Sequence, residues 1–316
     1  MPVEINLKNV DKIVKNINVM SKWRNSMNYF DYVARNVTTG WTAKGFTGAG
    51  LGISVNTLYA VNTSNHVVTV DQDTGEIIKQ IGTDTPECLT ANQTGMIAYG
   101  QSTVHILNAS GTQIAQFSYS GGQFYTASNI AIAPNGVSLS ATSYPAGGSY
   151  FPETYFYDAS GKSIKILDYQ AIVGADNYGN FYVFSDSDSK LHKFNNSANE
   201  LWSVSIGTYY VTAIVATSNR IYIVDPDTGK GLVIFDGNGK FVKLVQIDEA
   251  QAMSLDELGY IYVCDYNGNV YKFDQDGNQI WKIKLATTKL KNISANKKVV
   301  YVLSPDLNTI VKLVQS

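Results

Sequence analysis

A hairpin that recurs at nearly even spacing constrains this chain more than any other feature. It reads VDQDTGEII at 70–78, LNASGTQIA at 107–115, YDASGKSIK at 157–165, FNNSANELW at 194–202, FDGNGKFVK at 235–243 and FDQDGNQIW at 273–281. Each copy places an Asp or Asn after an apolar run, then a short small-residue turn, then a second run, which is the pattern of an antiparallel hairpin. With Gly75, Gly111, Gly161, Ala198, Gly239 and Gly277 as markers, the steps are 36, 50, 37, 41 and 38 residues. A period near 40 residues points to a repeat architecture.

The clearest whole unit is SLDELGYIYVCDYNGNVYKFDQDGNQIWKIKL, residues 254–285. It divides into four strands separated by turn residues. Four-stranded units of this length, with strands too apolar to face water on either side, fit an all-β fold, the β-propeller, whose blades pack both faces on their neighbours. Six hairpins give six blades. A seventh is expected from strands near 290–294, 299–304 and 309–314, after which the sequence stops without a fourth strand. The segment GWTAKGF, residues 40–46, supplies the missing one, because Trp41 corresponds to Trp202 and Trp281, each placed four residues after its turn marker. An outer strand at 38–46 would close a seven-bladed ring over residues 37–316 and remove the unpaired edge between its ends.

The stretch AMSLDELGYIYVCDYNGNVYKFDQDGNQI, with its small first strand, its IYV run and its VYKFD hairpin, resembles an NHL repeat. The Trp that follows the DG and SANE turns is similar to that of PQQ-like, or quinoprotein-like, repeats. The resemblance covers the fourth to sixth units best. It implies the propeller fold and carries no function with it. No adjacent cysteine pair of the quinone enzymes is present, so no cofactor is expected.

With 316 residues, 44% of them hydrophobic, the chain can bury a full core. Its net charge of −2 divides into +3 over residues 1–36 (six Lys/Arg, three Asp/Glu) and −5 over the rest (18 against 23). A nucleic-acid binder would be strongly basic, so no nucleic acid is expected as a partner. Cys88 and Cys264 stand alone and read as buried thiols. The sequence contains no apolar stretch long enough to span a membrane, and the start MPVEINLKNVDK lacks the pattern of a secretory leader. Yet the composition is rich in Asn, Thr, Ser, Gly and Tyr, with only 16% charged residues, as in surface proteins. Synthesis in the cytoplasm followed by incorporation into a virion or phage tail reconciles the two.

Residues 1–36 form a separate arm in this reading. Val3, Ile5 and Leu7 alternate as in a short strand. Ile13, Ile17, Met20, Met27, Phe30 and Val33 then keep three- and four-residue spacing, with Trp23 near the same stripe, which predicts an amphipathic helix from about Asp11 to about Arg35. A closed propeller needs no such arm, and an exposed apolar stripe is a liability. The stripe is therefore expected to dock into a protein partner, against the alternative that it packs on its own propeller.

Motifs that suggest chemistry do not survive inspection of their context. SGKS at 160–163 lacks the earlier Gly of a phosphate loop, since Phe156 stands there, and it lies in a hairpin turn. GAGLG at 48–52 has no following helix, and its glycines suit close packing near the axis. The DQDTG and DQDGN turns imitate a calcium loop, but Gly82 and Leu285 fall where its acidic twelfth ligand belongs, so the aspartates are expected to cap turn amides. Asp186, Asp188, Asp225, Asp227, Asp265 and Asp306 share one face and leave room for a cation, but they signal it only weakly, and no metal ligand is assigned. His105 and His192 occupy the position of Tyr271 and read as packing residues. No nucleophile or metalloprotease motif is present.

One repeat departs from the rest. SYPAGGSYFP, residues 143–152, reads as a loop of about ten residues inserted between the second and third strands of the third blade. SYSGGQFYT, residues 118–126, is a second long loop entering the same blade on the same face. Tyr119, Phe124, Tyr125, Tyr144, Tyr150 and Phe151 should gather there, with Tyr209 and Tyr210 above the fifth blade. Tyrosine offers broad apolar area and a hydroxyl at low entropy cost, so this face suits a protein or glycan ligand. The alternative is that the two loops shelter one another as a small core. The expectation is a non-enzymatic binding and assembly module; the rival is a propeller enzyme, a polysaccharide lyase or hydrolase working through channel carboxylates.

Overall fold

A computed structural model describes residues 37–315 except 55–56, 83–85, 93–96, 101, 109, 119–123, 144–150, 208–209, 228 and 286–287, with the backbone alone at 124–128, 142–143 and 151. Twenty-eight strands are described, and no helix. Each group of four strands runs in chain order from an inner to an outer strand, except the one that begins at Asn292–Ala295, whose outer strand is Val37–Lys44. Five sheets have four strands, and an eight-stranded sheet consists of two such meanders joined at the parallel pair Gly50 and Leu89. The first strand of each group touches the first strand of the next, and Asn292–Ala295 returns to Phe46–Ser54, so the groups close a ring around an axis. The predicted arm, with Ile13, Ile17, Met20, Trp23, Met27 and Phe30, lies outside the described residues.

The ring is closed by the two ends of the described chain. Val37–Lys44 lies antiparallel to Thr309–Gln315, from Val37 opposite Gln315 to Lys44 opposite Thr309. Gly45 then turns the chain and Phe46 begins the first inner strand, so the closing strand ends two residues earlier than the sequence pattern suggested. Near the axis the glycines set the spacing. A Cβ on Gly50 would meet the Leu89 backbone at 2.8 Å, and one on Gly174 would meet Ile214 O at 2.5 Å. The free edges of the inner strands find partners in the neighbouring group: Ser294 Oγ accepts from Ile53 N, Ser254 Oγ from Ala295 N and Asn129 Oδ1 from Val173 N. Edge amides that would otherwise be orphaned close to the axis are thereby satisfied.

At the outer rim the hairpins that announce the repeat are capped by their own Asp or Asn. Asp71 Oδ1 accepts from Asp73 N and Thr74 N, and Asp274 Oδ1 from Asp276 N and Asn278 N. Asn108, Asp158, Asn195 and Asp236 cap their turns likewise. The marker residue takes a left-handed conformation, φ 80° at Gly75 and 56° at Ala198, the one marker that is not glycine.

Several of these turns also join their group to the one before it. The residue after the cap presents its carbonyl backwards: Gln72 O accepts from Trp41 Nε1 at 2.9 Å and from Lys312 Nζ, Gly237 O from Lys193 Nζ at 3.5 Å, and Gln275 O from Tyr222 OH at 3.1 Å. The indole of the preceding outer strand then covers the marker, since a Cβ on Gly75 would meet Trp41 at 2.8 Å and one on Gly239 would meet Trp202 at 3.0 Å. Between groups the core is aromatic and aliphatic, with Tyr59, Tyr182, Tyr222, Tyr262 and Tyr301 fully buried on the second strands.

Candidate functional site

The third group differs from its neighbours. Its second and third strands, Gly136–Ser143 and Phe151–Asp158, are eight residues long, against five for Phe181–Ser185 and Lys190–Phe194 in the next group. Three additional residues at about 3.4 Å each raise this hairpin about 10 Å further along the strand direction. The ten-residue loop expected from the sequence is thus partly strand: pairing continues to Ser143 opposite Phe151, and only 144–150 lie between. The inner strand Phe124–Ala133 is lengthened to match, and Phe124 also pairs with Ser143. Phe124 and Phe151, from two different connections, therefore flank one residue at the tip of one sheet. Tyr125 lies beside Phe124 in that strand. Tyr119, Tyr144, Tyr150 and Tyr209 lie outside the described residues. Tyr210 stands apart from the tip, 60% exposed at the mouth of the central channel.

The channel is a cavity of about 680 Å³ lined by the inner strands. Most of its lining residues are small or apolar, among them Ala131, Ala213, Ala252 and Ile293, yet the surface they present to it is mainly polar, with Asn129, Gln251 and Lys291 among the polar side chains. Glu87 and Asp186 are the carboxylates among its described lining residues. Burial holds the Asp186 carboxyl above its ordinary range. Asp186 is one of the six face acids marked in the sequence, whereas Glu87 carried no mark, because the ring alone brings residues 87 and 186 to one cavity.

Asp188, Asp225, Asp227 and Asp265 of this face are engaged locally. Asp225 pairs with Lys230 at 3.1 Å, and Asp188 lies 3.3 Å from His192 Nε2. Asp265 accepts from Asn269 N and from Tyr271 OH at 2.9 Å. Among the described residues no group of three or more His, Cys, Asp or Glu could hold a metal ion. His105 stacks on Tyr99 with ring centres 5.0 Å apart and lies 2.7 Å from Gln113 Oε1; His192 sits between Glu200 and Phe194. Both Cys88 and Cys264 are free and buried, and burial pushes the Cys88 thiol up to about 12, which leaves it protonated and inert.

One buried charge escaped the sequence reading. Lys272 is 1% exposed, its ammonium 4.4 Å from the centre of the Tyr260 ring and 5.3 Å from that of Tyr262. Burial lowers its pKa to about 8, against the pull of Asp256 in the other direction. Asp256 is itself raised by burial, although it accepts from Tyr262 OH at 2.8 Å. Lys272 Nζ donates to Gln315 Oε1 at 2.8 Å, which fastens the end of the last third strand to the sixth group. A usable clue was present in the sequence: Tyr182, Lys193 and Trp202 repeat as Tyr262, Lys272 and Trp281 at nearly the same spacing.

Among the described residues no helix is long and apolar enough to cross a membrane. No family model matches the chain, and no curated protein matches it. Among solved structures it is similar to BamB from Moraxella catarrhalis, at 13% identity over 88% of this chain and 100% of that one, with a TM-score of 0.59. It is similar also to the WD40 domain of Pan2 from Neurospora crassa, at 10% identity over 89% of this chain and 96% of that one, with a TM-score of 0.68. At such identities the likeness is one of fold, and it attaches neither the NHL-like nor the PQQ-like repeat type to this sequence. A closed ring of outward-running antiparallel sheets and the likeness to two propellers lead to one conclusion: the chain is a β-propeller.

Proposed function

We propose that the protein is a non-enzymatic binding and assembly module: a seven-bladed propeller over residues 37–316 that presents the raised tip of its third blade to a protein or glycan ligand. Residues 1–36 tether it to a larger assembly through the stripe Ile13, Ile17, Met20, Trp23, Met27 and Phe30, and a virion or phage tail is the context that suits its composition. The observation that carries the reading is the lengthened hairpin, which lifts Phe124 and Phe151 to one tip between two aromatic-rich connections. An extension of this kind does nothing for ring closure, which is made at the axis and at the opposite rim. The enzymatic alternative would work through Glu87 and Asp186, the carboxylates among the described channel-lining residues.

The test is the double substitution Tyr150→Ala with Phe151→Ala, screened against a glycan panel and for incorporation into the native assembly. Aromatic anchors at the centre of an interface contribute about 2 kcal/mol or more each, so binding should weaken at least tenfold while the melting temperature holds. Unchanged binding with a lowered melting temperature would show that the tip is a small core and would remove the reading. Deleting residues 1–36 should separately abolish incorporation while leaving a folded ring; a chain that unfolds on this deletion would place the arm in the propeller's own core.

A further inference from the structure

The mouth of the central channel gathers charged, amide and aromatic side chains from several groups of the ring. Glu87 and Lys291 hold the same place in two of them, immediately before the inner strands Cys88–Ala91 and Asn292–Ala295. Each is pinned by its own backbone N–H, since Glu87 N donates to Gly100 O and Lys291 N to Leu303 O, both at 3.0 Å. One position of the repeat thus presents an acid in one group and an ammonium in another, both lining the channel. Asp186 joins them from the end of the second strand Phe181–Ser185, and Tyr210 stands 60% exposed at the opening. Two amides complete the set. Asn129 Oδ1 accepts from Val173 N, which leaves its NH2 group to donate, and Gln251 Nε2 donates to Glu249 O, which leaves its Oε1 to accept.

This mixture narrows the class of ligand. An anion would meet Glu87 and Asp186, and an organic cation would meet the Lys291 ammonium. A metal ion would lack ligands, because no group of three or more His, Cys, Asp or Glu among the described residues could hold one. An extended polypeptide would need free strand edges, yet Ile53 N, Ala171 N, Val173 N and Ala295 N already donate to side chains of the neighbouring group. An apolar molecule would face a mainly polar surface. A sugar meets none of these objections. Each of its hydroxyls both donates and accepts, so one ligand can answer carboxylates, amides and an ammonium together. Its C–H face finds flat apolar area on a tyrosine ring. The cavity, about 680 Å³, lies within the range of about 300–1,000 Å³ that small-molecule sites occupy.

We propose that the channel mouth binds a neutral saccharide, with one sugar ring against Tyr210 and its hydroxyls shared among Glu87, Asp186, Gln251 and Lys291. The backbone bonds that pin Glu87 and Lys291, and the side chains that hold the inner strands together, keep this site formed before the ligand arrives. Little ordering is then needed on binding. The site lies apart from the raised tip of the third group and does not depend on the ligand proposed there.

The experiment is methyl NMR of the full chain, with Ala252 and Ile293 as reporters on the channel wall. It is titrated separately with maltose, cellobiose, lactose and the chitin disaccharide at millimolar concentration, and with glycine betaine and inorganic phosphate as charged controls. At least one disaccharide should shift both reporters saturably while the controls do not. Tyr210→Ala, which removes an exposed side chain and leaves the ring folded, should weaken that binding about tenfold. Lys291→Met should weaken it as well, whereas the tip variant carrying Tyr150→Ala and Phe151→Ala should keep it. Reporters that respond to no disaccharide, or only to a charged control, would overturn the proposal. So would an affinity that Tyr210→Ala leaves unchanged. Sugar binding lost in the tip variant alone would overturn it too, while leaving the reading of the tip in place.

Discussion

Replacing Lys272 by Met should be nearly neutral at pH 7 and should become costly as the pH rises. The folded protein holds this lysine at a pKa of about 8, against 10.5 for an ordinary side chain. Below pH 8 both folded and unfolded states carry the proton, and only the folded state bears the cost of burying it. Between 8 and 10.5 the folded state releases the proton first, so the cost is relieved and the wild type gains stability. The full shift, at about 1.4 kcal/mol per pKa unit, corresponds to about 3 kcal/mol, of which about 1.4 kcal/mol is recovered by pH 9. At pH 7 Met removes that burden but also the bond to Gln315 and the contacts with Tyr260 and Tyr262, contributions of similar size. Urea denaturation of both chains at pH 7, 8 and 9 measures the difference directly. Ionisation of the cysteines and tyrosines is common to both and cancels. The expected result is a gap that moves by about 1.4 kcal/mol in favour of the wild type. A gap that stays constant across this range would refute the buried, depressed lysine.

Two further substitutions test the ring. Trp41→Ala removes the indole that covers Gly75 and donates to Gln72 O, and should cost about 3 kcal/mol, seen as a lowered melting temperature, whereas Ile78→Ala on the exposed rim should cost less than about 0.5 kcal/mol. Gly174→Ala places a methyl group against Ile214 O and should cost about 1–3 kcal/mol in urea denaturation; a neutral result would mean that the inner strands can part.

The readability of this fold from its sequence varied with the range of the chemistry. Turn caps such as Asp71 and Asp274 act within four residues, so the pattern that predicts them also contains the groups they bind. Trp41 was recognisable as a closing-strand residue because Trp202 and Trp281 repeat its position, although its partner strand lies about 270 residues away along the chain. The third-group hairpin was misjudged because Pro152 and the Gly pair at 147–148 read as loop chemistry. Pro152 in fact sits beyond the last pairing with Ser163–Leu167, where the far edge of its strand needs no donor. Lys272 was passed over because a lysine in a strand ordinarily faces water, and only the packed ring places two tyrosine faces and Asp256 around it. Glu87 was invisible as a channel neighbour of Asp186 for the same reason.

Each sheet has two ends with different obligations. At one end the capped turns at Gln72, Asn196, Gly237 and Gln275 hand a main-chain carbonyl to the preceding sheet, which ties the turn to its neighbour. At the other end nothing in the described joints constrains the length of the connection, and the third sheet has grown there without a change in its Asp158 cap or in the Phe117 contact at Gly161. That separation makes the ring a natural scaffold for grafting: foreign peptides spliced between Ser143 and Phe151 should be carried on a stiff hairpin stem, while the register of every neighbouring sheet stays as it is.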